Sequence, residues 1–66
     1  MLLRKTKYGA IVRLDSEGIS YVRCNYDRSY KEYMLIKESE YQGPGQYPDS
    51  AILFLPGSTN VEVERV

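Results

Sequence analysis

Along this chain, short runs of alternating hydrophobic and polar residues are broken by turn-forming clusters. In KYGAIVRLD, Tyr8, Ala10, Val12 and Leu14 share one parity, while Lys7, Ile11, Arg13 and Asp15 fall largely on the other. A period of two marks a half-buried strand. The same parity continues back through Leu2, Arg4 and Thr6, so the spacing predicts a long N-terminal strand, bent at Gly9. DSEG at 15–18 then supplies turn chemistry, because Asp15 and Ser16 satisfy local backbone donors and Gly18 accommodates a positive φ. ISYVRCNY, rich in β-branched and aromatic residues, predicts the returning strand. Simple alternation places Val22, Cys24 and Tyr26 on one side of it and Ile19, Tyr21, Arg23 and Asn25 on the other.

The segment after the DRS turn at 27–29 supports two readings. Ser29 and Glu32 have the spacing of a capping box, and residues 30–41 contain helix-favouring Lys, Glu, Met and Leu. Yet Tyr30, Tyr33, Met34, Lys37 and Tyr41 would form a poor apolar stripe, with a lysine at its centre. Tyr33-Met34-Leu35-Ile36 is instead a short continuous apolar run, as in a strand covered on both faces. The strand reading is preferred, with a short helix at about 29–41 as the alternative.

YQGPGQYPDS at 41–50 must be loop, long enough either to carry binding residues or to serve as a plain crossover. AILFLPG is the most apolar stretch: Ile52 and Phe54 face one way, Leu53 and Leu55 the other, and both faces need cover. PGSTN turns the chain, and VEVERV closes it with Val61 and Val63 inward and Glu62 and Glu64 outward, charges that would protect a sheet edge. Five short strands predict a mainly β fold: a small antiparallel curved sheet or barrel of SH3-like or OB-like size. Two strands that are apolar on both faces call for extra cover, from a helix at 29–41, a second copy of the chain or an obligate partner.

Length then limits the picture to one small β domain over 1–66, since 66 residues cannot build two cores. A lone cysteine, Cys24, gives no disulfide framework and points to a reducing, cytoplasmic setting. MLLRKTKYG has too short an apolar run for a signal peptide or anchor, and no membrane association is expected. Nine basic residues balance nine acidic ones. Within that balance, residues 1–26 hold five cations against Asp15 and Glu17, an N-terminal excess of positive charge.

Much chemistry is missing. With no histidine and one cysteine, the usual zinc sets cannot be assembled, and a serine or cysteine nucleophile lacks its customary base. QGPGQ is not a phosphate loop, because no Lys-Ser or Lys-Thr follows. Glu38, Glu40 and Asp49 flank the long loop but fit a solvated strand end equally well. The sequence therefore points away from an enzyme and from any cofactor, and towards binding.

Tyrosine is the informative residue, supplying seven of the eight aromatics. It offers a large contact area at low entropy cost and keeps a polar tip. The candidate surface comprises Tyr21, Arg23, Tyr26, Arg28, Tyr30, Lys31 and Tyr33, with Tyr41 and Tyr47 in the loop. Tyr and Arg are the usual anchors of protein interfaces, so the expected partner is a larger protein, with homo-oligomerisation as a further route to burial. Stacking on single-stranded nucleic acid is the alternative, disfavoured by net neutrality and by Asp27, Glu32, Glu38 and Glu40 among the tyrosines.

Overall fold

A computed structural model describes residues 1–14 and 18–65. Five strands, β1 (Ile11–Arg13), β2 (Ser20–Asp27), β3 (Glu32–Lys37), β4 (Ile52–Leu55) and β5 (Glu62–Arg65), form one antiparallel sheet. Its order is β4-β3-β2-β1-β5, a meander whose last strand returns beside the first. The sheet is curved and open, with β4 and β5 at its edges. The preferred strand at 32–37 therefore forms, and the capping-box helix does not. The reason lies in Asp27, whose Oδ1 accepts the backbone N–H groups of Ser29 (2.8 Å) and Tyr30 (3.0 Å). That Asx-type turn leaves Ser29 inside a hairpin loop rather than at a helix start.

The long N-terminal strand also fails to form. Leu3–Lys5 is a single 3-10 turn, Gly9 has a φ of +86°, and only Ile11–Arg13 joins the sheet. Residues 1–4 instead run along 57–61: Met1 exchanges both backbone bonds with Val61, Leu3 N–H bonds Thr59, and Arg4 N–H bonds Gly57. Burial breaks the even parity of the segment, since Leu3 lies on the odd parity and Arg4 is exposed. Leu3, Thr6, Ala10 and Val12 are all buried, whereas Tyr8 is exposed. Of the turn expected at 15–18, positions 15–17 lie outside the described residues, while Gly18 has the positive φ anticipated for it (+68°).

Two core clusters lie on opposite faces of the sheet, as strand alternation requires. One joins Leu3, Ala10, Val12, Tyr21, Leu35 and Val61, flanked by Leu14, Tyr33, Leu53 and Leu55. The other joins Val22, Cys24, Ile36 and Ala51, flanked by Ile11, Met34, Tyr41, Tyr47 and Ile52. Leu35 and Ile36 are completely buried on opposite sides of β3, which makes that strand the centre of both. The first face is covered by the N-terminal 3-10 turn and Val61. The second is covered by the chain's own 41–51 segment, through Tyr41, Tyr47 and Ala51. Cover for the doubly apolar strands is thus built within the chain.

Val63 departs from its expected inward position: it is 37% exposed, although Val61 is buried. β5 is an edge strand, and Val63 pairs with Val12 where the ladder shifts register between Ile11 and Val12, so only its inner flank gains cover. No helix among the described residues is long and apolar enough to cross a membrane.

Candidate functional site

A β-bulge creates the most distinctive surface. Arg23 stands opposite Leu35, and Tyr26 opposite Tyr33, so β2 advances three residues while β3 advances two. One extra residue reverses the alternation. Tyr26 consequently sits on the same face as Arg23, and not with Val22 and Cys24 as simple alternation requires. Its ring meets Tyr33 at 4.8 Å with a 59° tilt, and the Arg23 guanidinium lies 4.5 Å from the centre of the same Tyr33 ring. The result is a cluster of Arg23, Tyr33 and Tyr26 in which the Tyr33 ring touches both of the others. Tyr33 is half-buried, whereas Tyr26 is 46% exposed.

Close packing continues towards the N-terminus. A Cβ at Gly57 would stand only 2.9 Å from Arg4 Cβ and 3.0 Å from Tyr33 Cε1. Gly57 therefore allows Arg4 to be laid beside the cluster, and Arg4 itself is exposed. The Arg23 Nε is buried without a hydrogen-bond partner among the described residues, and the guanidinium rests against the Tyr33 face. Register also sorts the charges. Asp27 pairs with Glu32, and Arg13 with Glu62, at positions on the face opposite Arg23. The strands bring no described acidic side chain onto the Arg23 face.

The hairpin tip carries the remaining candidates from this part of the chain. Arg28, Tyr30 and Lys31 are exposed, and Tyr30, 67% exposed, touches Phe54 of β4 at 5.6 Å on the other side of the sheet. Lys31 holds a φ of +56°, the left-handed region that glycine occupies far more easily.

Other expected site residues lie elsewhere. Tyr21 is 4% exposed within the first core cluster, so its ring belongs to the interior. Tyr41 and Tyr47 stack on one another at 6.0 Å with an 18° interplanar angle and pack over the second cluster. Partial burial, followed by neighbouring Cys24, Tyr8 and Tyr47, pushes the Tyr41 phenol above its ordinary value. Cys24 lies beneath them, and burial raises its thiol pKa more than nearby Arg23 lowers it. The thiol stays protonated and points its weak donor at the Val22 carbonyl (3.6 Å).

Sequence reasoning missed two members of the surface. Arg4 was assigned to a strand, and Phe54 was read only as core. Neither is recoverable from spacing, because both depend on where residues 1–4 and 52–55 dock. Open depressions occur away from the cluster: one of about 350 Å³ beside Ile19, Ser20, Glu38 and Ser39, and one of about 270 Å³ beside Met1, Lys5, Lys7 and Val63. In comparisons with known proteins, the chain matches no family model, no curated protein and no solved structure.

Proposed function

We propose that this chain is a small non-enzymatic, cytoplasmic binding protein that acts as an adaptor, subunit or inhibitor of a larger protein. The contact face is the Arg23, Tyr33, Tyr26 cluster, extended by Arg4 and, at the exposed hairpin tip, by Arg28 and Lys31, with Tyr30 turned over the tip towards Phe54 on the other side of the sheet. One observation carries this reading: Tyr26 is nearly half exposed yet held ring to ring against a tyrosine that also supports Arg23. Such a pre-ordered aromatic and arginine pair loses little side-chain freedom on binding, which is the property of interface anchors. The face lacks described strand acids, so a complementary partner presents carboxylates or carbonyl oxygens there. Zero net charge favours a protein over a polyanion.

The test pairs two measurements on the folded protein. Affinity capture from source-cell extract is expected to recover a defined protein with the wild type and to lose it with the Tyr26→Ala, Arg28→Glu double variant. Titration with single-stranded oligonucleotides across a salt series is expected to show no binding at low salt. Identical recovery by both proteins overturns the assignment of the face. Oligonucleotide binding that falls steeply with salt transfers the same face to nucleic acid.

A further inference from the structure

Alternation sends Val63 to the core face of β5, opposite Val12, yet it remains 37% exposed. It belongs to an open depression of about 270 Å³ bounded by Met1, Lys5, Thr6, Lys7 and Ala10. The path of the chain explains the gap. Residues 1–4 follow 57–61, with Met1 paired to Val61, and the chain then turns away through Leu3–Lys5 before entering the sheet at Ile11. Val61 is buried beneath this segment, whereas Val63, two residues further on, is left uncovered. The apolar walls combine the buried Ala10 methyl with the Met1 side chain, which is exposed and adaptable in shape.

The rim of the depression is basic. Thr6 is buried, and its hydroxyl donates to the Leu3 carbonyl at 2.6 Å. Lys5 and Lys7 on either side of it are exposed, and their ammonium groups make no ion pair or hydrogen bond among the described residues. The Lys7 backbone N–H is likewise without a partner among them. The acids adjoining Val63 are engaged on the opposite side of the sheet: Arg13 holds Glu62 at 2.7 Å, and Glu64 is held by Arg13 and Ser20. An apolar floor with two unneutralised cations at its rim complements an aliphatic group that carries a negative charge.

We propose that this depression receives the C-terminal residue of a partner protein, with an aliphatic side chain on Val63 and Ala10 and the free carboxylate between Lys5 and Lys7. Size favours a residue over a free small molecule. Sites that enclose a free ligand span roughly 300–1,000 Å³ and bury most of its surface. At about 270 Å³ and open to solvent, this one accommodates a single side chain whose own backbone continues outside. Chemistry favours a chain end over an internal segment. A terminal residue carries its side chain and a carboxylate together, whereas an internal residue has a neutral amide in the same place. Capture of a terminal carboxylate by unpartnered backbone donors is a recurrent mode of peptide recognition. The site shares no residue with the Arg23, Tyr33, Tyr26 cluster, so either surface can fail without the other.

The test is titration of isotope-labelled protein, read by backbone amide shifts, with an acetylated Gly-Ser-Gly-Ser-Gly-Leu peptide bearing a free C-terminus. Its C-terminal amide, an amidated peptide with an internal Asp-Leu pair, and sodium octanoate are titrated alongside. The free-acid peptide should shift the amides of Lys5, Lys7, Ala10 and Val63 and saturate in the low millimolar range. The amide should bind at least about tenfold more weakly, as should the free acid to the Lys5→Gln, Lys7→Gln double variant. Tyr26→Ala should change its affinity by less than about twofold. The proposal is overturned if acid and amide bind equally, if no peptide moves these amides, or if the internal carboxylate or octanoate binds as tightly as the free-acid peptide. It is also overturned if concentrating the protein alone produces the same shifts, which would assign the site to a second copy. The acid and amide comparison uses the unmodified protein, so the decision does not depend on a variant that folds.

Discussion

Tyr41 with Tyr47, and Tyr26 with Tyr33, are ring pairs of similar composition set to different tasks. The first pair stacks nearly parallel over Val22, Cys24 and Ile36, and closes a face of the sheet that would otherwise meet water. The second is tilted, supports a guanidinium and leaves Tyr26 open. Their backbones differ in the same sense. In the 41–51 segment the positive φ angles fall on Gly43 (+135°) and Gly45 (+75°), where no added Cβ would find a neighbour within 4 Å. In the hairpin the positive φ falls on Lys31. The loop is relaxed and protective, whereas the hairpin keeps a strained, charged residue at an exposed tip, as functional sites often do.

Several substitutions break or sharpen that contrast. The largest effect belongs beneath the loop pair: Ile36→Ala should cost about 2–5 kcal/mol in urea unfolding, because a fully buried side chain leaves a cavity at the centre of the second cluster. Tyr47→Ala removes cover from the same cluster and should cost about 1–3 kcal/mol. Tyr26→Ala loses one cross-strand ring contact and should cost less than about 1 kcal/mol. Lys31→Gly should have the opposite sign, gaining up to about 1 kcal/mol as the left-handed backbone is relieved. A loss of stability there would contradict the strain at the tip.

Two titratable groups give smaller, sharper checks. The Cys24 thiol, raised chiefly by burial, should react slowly with a thiol reagent at neutral pH and only as fast as the second cluster opens. Rapid modification of the native protein would mean that the loop pair does not seal it. Glu62 is held below the usual carboxylate range, first by its hydrogen bond from Arg13 and then by the charge of that arginine. A depressed carboxylate stabilises the fold above its ordinary pKa and loses that contribution as pH falls through the folded value. Glu62 is exposed, so the effect is small. Glu62→Gln should lower the urea midpoint slightly at about pH 7 and leave it unchanged at about pH 3.

The fold was largely legible because period-2 runs and turn residues mark strands directly. Val22, Leu35, Ile36 and Val61 could be placed from parity or from their apolar runs alone. Three features could not. The N-terminal even parity misleads, because the segment coils over the core and buries Leu3 of the odd parity while Arg4 and Tyr8 of the even one stay exposed. The bulge between Arg23 and Tyr26 carries no glycine, and an exposed Asn25 within an otherwise strand-like run is its single local trace. The structural use of Tyr41 and Tyr47 depends on how the 41–51 segment folds back, which composition does not encode. Of the expected surface, the cluster of Arg23, Tyr26 and Tyr33 was named residue by residue, but its arrangement on one face required the bulge.

Urea unfolding of Tyr47→Ala and Tyr26→Ala, followed side by side by circular dichroism, tests most directly the division of labour between the two pairs. The expected result is a clear drop in midpoint for Tyr47→Ala and a midpoint near wild type for Tyr26→Ala. The reverse order would contradict it, making the hairpin cluster the structural element and the 41–51 segment the free one.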